Sequence, residues 1–130
     1  MDDMRASDLP SSAALSYLGD AVHSLYVRRA VTAMGHTKSA DLHAAGQTYV
    51  NAAAQAAAYE RILPLLTEKE ADVARRAHNS KHLQRPKHMT ISEYRRATAL
   101  EALLGMLFFT GQTARLDELM AVVLDVSSDE

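Results

Sequence analysis

A glycine and an aspartate stand side by side inside an apolar helical run, Leu18-Gly19-Asp20-Ala21-Val22, and this stretch restricts the fold more tightly than any other. The glycine lets a second backbone approach closely. The acid sits where an unpaired carboxylate would be costly to bury, so a cation or a hydrogen-bonding group has to meet it. A second stretch repeats the pattern. In Ala97-Thr98-Ala99-Leu100-Glu101-Ala102-Leu103-Leu104-Gly105 one acid again lies among small and apolar residues, with Ala97 and Gly105 on its helical face. Two long helices crossing at these small residues would bring Asp20 and Glu101 face to face.

The pattern around both stretches is helical, and no run alternates as a half-buried strand does. Leu15, Leu18, Val22, Leu25, Tyr26 and Val31 recur at helical spacing, which predicts a first helix from Pro10–Ser12 to about Met34, stopped by Gly35. A short helix is expected from Ser39 to about Gly46, and an alanine-rich one from about Thr48 to Leu63, limited by Pro64. Capping boxes at Thr67-Glu68-Lys69-Glu70 and Thr90-Ile91-Ser92-Glu93 open two further helices, one ending near Asn79 and the other carrying Tyr94, Leu100, Leu103, Leu104, Leu107 and Phe108 to a stop at Gly111. A last amphipathic helix runs from Thr113 to Val126 with Leu116, Leu119, Met120 and Val123 on one side. The expected fold is therefore all-α, about six helices in one domain. The expected bounds are residues 11–126, with an N-terminal extension over 1–10 and a tail over 127–130. A chain of 130 residues can bury a core of that kind without staples.

Composition narrows the chemistry. Cysteine is absent, which excludes disulfides, thiolate metal sites and a cysteine nucleophile and fits a reducing cytoplasm. No apolar run reaches membrane-span length and the N-terminus lacks the plan of a signal peptide, so a soluble, cytoplasmic protein without a membrane partner is expected. The net charge of −2 hides a basic middle. From Arg75 to Arg96 the chain carries Arg75, Arg76, Lys81, Arg85, Lys87, Arg95 and Arg96 with His78, His82 and His88, against Glu93 alone. Periodicity disappears between Ser80 and Met89, around Pro86, and a long loop is more often functional than a minimal connection. Its Arg, Lys, His and Asn suit phosphate oxygens. Tyr94 is assigned to core packing, and His23, His36 and His43 to the surface or core edge rather than to zinc.

Two facing carboxylates repel, and one must take up a proton unless a cation joins them. A hard divalent ion such as magnesium, held by one or two carboxylates and completed by water and phosphate, resolves the conflict. Arg28 or Lys38 are the alternative partners for Asp20, which would make it an ordinary paired surface acid.

Tyr17-Leu18-Gly19-Asp20-Ala21-Val22 resembles the signature helix of the ribonuclease III catalytic domain, and Ala99-Leu100-Glu101-Ala102-Leu103-Leu104-Gly105 resembles its second acidic motif. The nearer likeness is to the small bacterial branch, Mini-ribonuclease III, which lacks a double-stranded-RNA-binding domain. Ala77-His78-Asn79-Ser80-Lys81, Pro86-Lys87 and Tyr94-Arg95-Arg96-Ala97-Thr98 support it, and it extends from about Leu15 to Leu119. Larger members carry additional acids where this chain has Ala13, Ser16 and Thr98, so fewer protein ligands are left for a metal.

The resemblance implies a magnesium-dependent endonuclease for double-stranded RNA, with manganese able to substitute, that leaves 5′-phosphate and 3′-hydroxyl ends. It makes Asp20 and Glu101 the catalytic metal ligands, the protein a homodimer, and the stem bracketing 23S in precursor ribosomal RNA the substrate, with a ribosomal protein on that RNA as a further partner. RNA affinity then falls to one domain and its basic segment, where Arg75, Arg76, His78, Asn79, Lys81, Arg85, Lys87 and Arg95 are the candidate contacts. Recognition is expected to be mostly by the shape of A-form RNA. Two rival readings keep the fold and drop the chemistry: a non-catalytic RNA-binding or ribosome-assembly module, and a helical homodimer that binds protein.

Overall fold

A computed structural model of the chain describes residues 8–80 and 85–125, which form six α-helices and no strand. They are α1 (Ser12–Ala33), α2 (Ser39–Val50), α3 (Ala52–Ile62), α4 (Glu68–His78), α5 (Ile91–Phe109) and α6 (Thr113–Val123), with a 3-10 turn at Leu63–Leu65. The expected all-α class is what the chain adopts. Both capping boxes form: Thr67 and Glu70 close the start of α4, and Thr90 and Glu93 that of α5, each threonine accepting from the third amide of its helix while the glutamate takes the threonine's own amide. Gly35 and Gly111 follow α1 and α5 at positive φ, 92° and 73°, where a glycine ends a helix without strain.

One boundary differs from expectation. The break placed near Gly46 falls at Asn51 instead, and α2 runs through the glycine to Val50. A Cβ at Gly46 would meet only Val27 Cγ1, at 3.9 Å, so nothing there requires a turn. Asn51 is extended and its side chain accepts from the Ala54 amide at 2.8 Å, and this N-cap starts α3. At the other end α6 stops at Val123, and Val126 and the tail lie outside the described residues.

Helix α5 is the axis of the fold. Every residue from Ala97 to Leu107 is buried except Glu101, so this stretch has no solvent face, as befits a helix enclosed by others. It packs against α1, α3, α4 and α6. Leu100, Leu103, Leu104 and Leu107 are fully buried with Ile62, Leu116 and Leu119. Burying each such side chain contributes about 1.5–3 kcal/mol. Arg115 of α6 grips the buried Glu70 carboxylate with two donors, at 2.9 and 2.8 Å, and tethers α6 to the start of α4.

The first helix departs from its expected stripe. Leu15, Val22 and Val31 are buried and Leu18 and Tyr26 pack against the core, but Leu25 is 64% exposed. Phe108 at the end of α5 is likewise 54% exposed. Both fit the apolar periodicity of their helices, which cannot tell the core from a second apolar face.

Candidate active site

Where α1 crosses α5 the two backbones touch. A Cβ on Gly19 would lie 1.6 Å from the Glu101 carbonyl oxygen, and one on Gly105 would lie 2.0 Å from that of Leu15. No side chain fits at either point, so each glycine is required by its neighbour's main chain. The crossing sets Asp20, the residue after Gly19, against Glu101 of α5.

Their two environments differ. Asp20 is exposed, whereas Glu101 is largely enclosed. Ser16, one turn before Asp20, donates its hydroxyl to Glu101 Oε1 at 3.3 Å. Gln55, on α3 and only 6% exposed, lies near the same carboxyl group. Burial, then the charge of Asp20 and a hydrogen bond shared with it, push the Glu101 carboxyl up from 4.5 to about 8, while Ser16 and Gln55 pull it back. Arg28 and Lys38 form no ion pair with Asp20, and among the described residues no cation is paired with either acid.

Two carboxylates facing each other without a cation share a proton. Their oxygens are hard donors, and the exposure of Asp20 leaves one side open to water and phosphate. That donor set fits magnesium or manganese, which bind through one or two carboxylates and keep several waters. Among the described residues no group of three or more His, Asp or Glu side chains could hold a metal ion, so solvent and substrate would have to complete the shell of an ion held by this pair.

Sequence reasoning missed two neighbours of this pair. Gln55 occupies the stripe Gln55, Ala58, Tyr59 and Ile62 that α3 buries; a lone amide at an apolar position was the available signal. His23 is not at the surface or core edge as expected but 1% exposed, beside a cavity of about 120 Å³ with Tyr49 and Arg61. Among the described residues neither ring nitrogen has a hydrogen-bond partner. Desolvation lowers its pKa from 6.5 to about 4, against the pull of Asp20, so the imidazole is neutral at physiological pH. His36 and His43 are exposed, as expected.

The basic segment is only in part a set of free cations. Arg75 and Arg76 are exposed on α4 and share Asp72 as an ion-pair partner. His78 Nδ1 lies 3.1 Å from Asn79 Oδ1. Arg85 donates to the Met89 carbonyl at 2.6 Å, and Lys87 is exposed. Arg95 is half-buried and donates to the carbonyls of His78 and Ser80, at 2.6 and 3.5 Å, which closes the C-terminal end of α4 onto α5. That anchor lies roughly 9 Å along α5 from Glu101, at 1.5 Å per residue. Tyr94 is half-buried. Lys81 and His82 lie outside the described residues.

Comparison with known proteins agrees with this fold. A family model described as the ribonuclease III domain matches residues 13–112. The chain is 41% identical to the Mini-ribonuclease 3 of Symbiobacterium thermophilum over 85% of each chain. It is 40% identical to that of a Thermoanaerobacter species, over 86% of this chain and 79% of the other. Among solved structures, a protein from Fusobacterium nucleatum superimposes with a TM-score of 0.82 at 28% identity, covering 93% of this chain and 97% of that one.

Proposed function

This chain belongs to the ribonuclease III domain family, and on that premise we propose that it is a magnesium-dependent endoribonuclease that cuts double-stranded RNA, its substrate the stem that brackets 23S in precursor ribosomal RNA. The observation that carries this reading is the meeting of Asp20 and Glu101 at a glycine crossing with no described cation between them. When bound there, magnesium, or manganese in its place, supplies Lewis-acid polarisation of the scissile phosphate and lowers the pKa of a water molecule. Asp20 and Glu101 would hold it through their carboxylate oxygens. Ser16 donates to one oxygen of Glu101 and so restrains that carboxylate. Water is the nucleophile, and the products carry 5′-phosphate and 3′-hydroxyl ends.

The working unit is a homodimer. Ala14, Tyr17, Ala21 and Leu25 form an exposed stripe at helical spacing alongside Asp20, Tyr17 being 86% exposed, and Phe108 and Phe109 are also exposed. Large apolar side chains gathered in water mark a partner surface. A second copy covering them would align two sites on one duplex, one for each strand. Arg75, Arg76, Lys87 and the loop cations Lys81 and Arg85 neutralise phosphates, with His78 and Asn79 beside them, and Arg95 holds the base of the segment in place. The enzyme works in the cytoplasm, and a ribosomal protein on the RNA selects the stem. No described helix is long and apolar enough to cross a membrane.

The test is to offer the purified protein the precursor stem, an unrelated duplex and a single strand of the same composition. Magnesium-dependent cutting of both duplexes with 5′-phosphate ends, sparing the single strand, is expected. Binding of duplex without metal-dependent cleavage would instead make the chain a non-catalytic RNA-binding module.

A further inference from the structure

His23 is a polar side chain that the fold encloses without matching it. It lies on α1 about one turn past Asp20, it is 1% exposed, and among the described residues neither of its ring nitrogens has a hydrogen-bond partner. A buried polar group in that state costs free energy that a leucine at the same place would not. Such groups are normally met by something. The imidazole lines a cavity of about 120 Å³ where α1, α2, α3 and α6 come together. This cavity is a pit with an open mouth: Thr48 and Ala57 at its rim are exposed, Tyr49, Ala54 and Arg61 are half-buried, and His23 and Val123 are buried. Apart from Arg61, α3 contributes only alanines to its wall, which leaves the space open.

Size and chemistry select the guest. An apolar cavity of about 150 Å³ takes up benzene, so this pit suits a molecule of about five non-hydrogen atoms. Its alanine and valine walls favour an apolar body, and the imidazole calls for a polar edge. Held neutral by burial, the ring has one nitrogen that donates and one that accepts. A half-turn about its Cβ–Cγ bond exchanges nitrogens with carbons at no change in shape. Charge of either sign is disfavoured in the guest. Arg61 repels a cation, and its guanidinium is engaged, donating to the carbonyls of Val122 and Val123 at 3.4 and 2.7 Å. The charge of Asp20 reaches His23 and opposes an anion. We propose that the pit beside His23 is a binding site for a small uncharged molecule that both donates and accepts a hydrogen bond, of the azole or amide class, its polar edge on the imidazole and its body against Ala54 and Val123. The site is separate from the Asp20–Glu101 pair and needs no metal ion.

Pyrazole, a small uncharged ring with a donor and an acceptor side by side, is the probe. It is added to the full chain in chelator and followed by NMR through the His23 ring signals and the amides of Ala57 and Val123. These signals should shift together and saturate with a dissociation constant of about 1 mM, well within the ceiling for a ligand of about five non-hydrogen atoms. Ala54→Leu fills the pit and should abolish the shifts. His23→Leu keeps the volume but removes both nitrogens, and should weaken binding about tenfold, the worth of one hydrogen bond. Acetate, which is similar in size but charged, should bind about tenfold more weakly than pyrazole or not at all. Absence of a saturable shift in wild type up to about 50 mM, equal affinity in His23→Leu, or acetate binding as tightly as pyrazole each overturns the proposal, the first leaving a pit that holds water alone. Circular dichroism checks that both variants are folded, and the comparison of pyrazole with acetate on wild type decides without them.

Discussion

Replacing Glu101 with glutamine should stabilise the metal-free protein at alkaline pH while removing its activity. Burial, and then the facing Asp20, raise the Glu101 carboxyl from 4.5 to about 8. A carboxyl whose pKa is higher in the folded than in the unfolded chain gives stability that is complete below the unfolded value and is lost as pH rises through the folded one. At about 1.4 kcal/mol per unit the whole shift corresponds to about 5 kcal/mol. Asp20 is exposed and solvent screens the pair, which brings the loss expected between about pH 5.5 and about pH 8.5 to about 2 kcal/mol. In thermal terms that is about 8 °C for a chain of this size. Glutamine keeps the shape and carries no charge, so Glu101→Gln should not show this loss. His23 titrates identically in both proteins and drops out of their difference. The assay is urea unfolding in chelator at the two pH values, repeated with magnesium, which should restore the wild type alone. A Glu101→Gln variant no more stable than wild type at the higher pH would refute the claim that the two acids repel across a cation-free site.

Other substitutions test other parts of the account. Gly19→Ala places a methyl group 1.6 Å from the Glu101 carbonyl oxygen; the helices must separate, and a loss of about 3 kcal/mol or more in urea unfolding is expected, far above the effect of Gly46→Ala. His23 is held neutral, its pKa lowered from 6.5 to about 4, so the unfolded chain binds more protons in that interval. Stability is complete above the unfolded value and falls by up to about 3 kcal/mol as pH drops toward 4, and His23→Phe should flatten this acid limb in pH-dependent melts. Neutralising Arg76 and Lys87 together should weaken duplex binding at low salt and reduce the slope of log affinity against log salt by about two; an unchanged slope would place the RNA surface elsewhere.

Much of this fold was legible because its signals are local. The capping boxes at Thr67 and Thr90, the stops at Gly35 and Gly111, and the apolar stripe of α6 each specify their structure within a few residues, and all formed. The α2–α3 boundary was misplaced because a helix breaker was weighed above a cap. Gly46 meets too little to matter, while Asn51 supplies a hydrogen bond that starts a helix. The exposure of Leu25 and Phe108 could not be read from spacing, which reports that a face is apolar and not what covers it. In the site, Asp20 and Glu101 were visible as lone acids among small residues. Gln55 and the buried His23 were not, because the approach of α3 to Glu101, or the closure of α1 over an imidazole, depends on packing between segments distant in sequence. Arg95 was read as a cation available to RNA, and the structure shows it occupied by the carbonyl groups at the end of α4.

The central claim is that Asp20 and Glu101 act together, through a divalent cation, to cut double-stranded RNA. It is tested most directly by incubating one long duplex with wild type, Asp20→Ala and Glu101→Ala, each with magnesium and with chelator, alongside circular dichroism of the three proteins. The account predicts cutting by wild type with magnesium alone, and no cutting by either variant although both remain helical. Undiminished cleavage by the two folded variants, or cleavage by wild type in chelator, would contradict it.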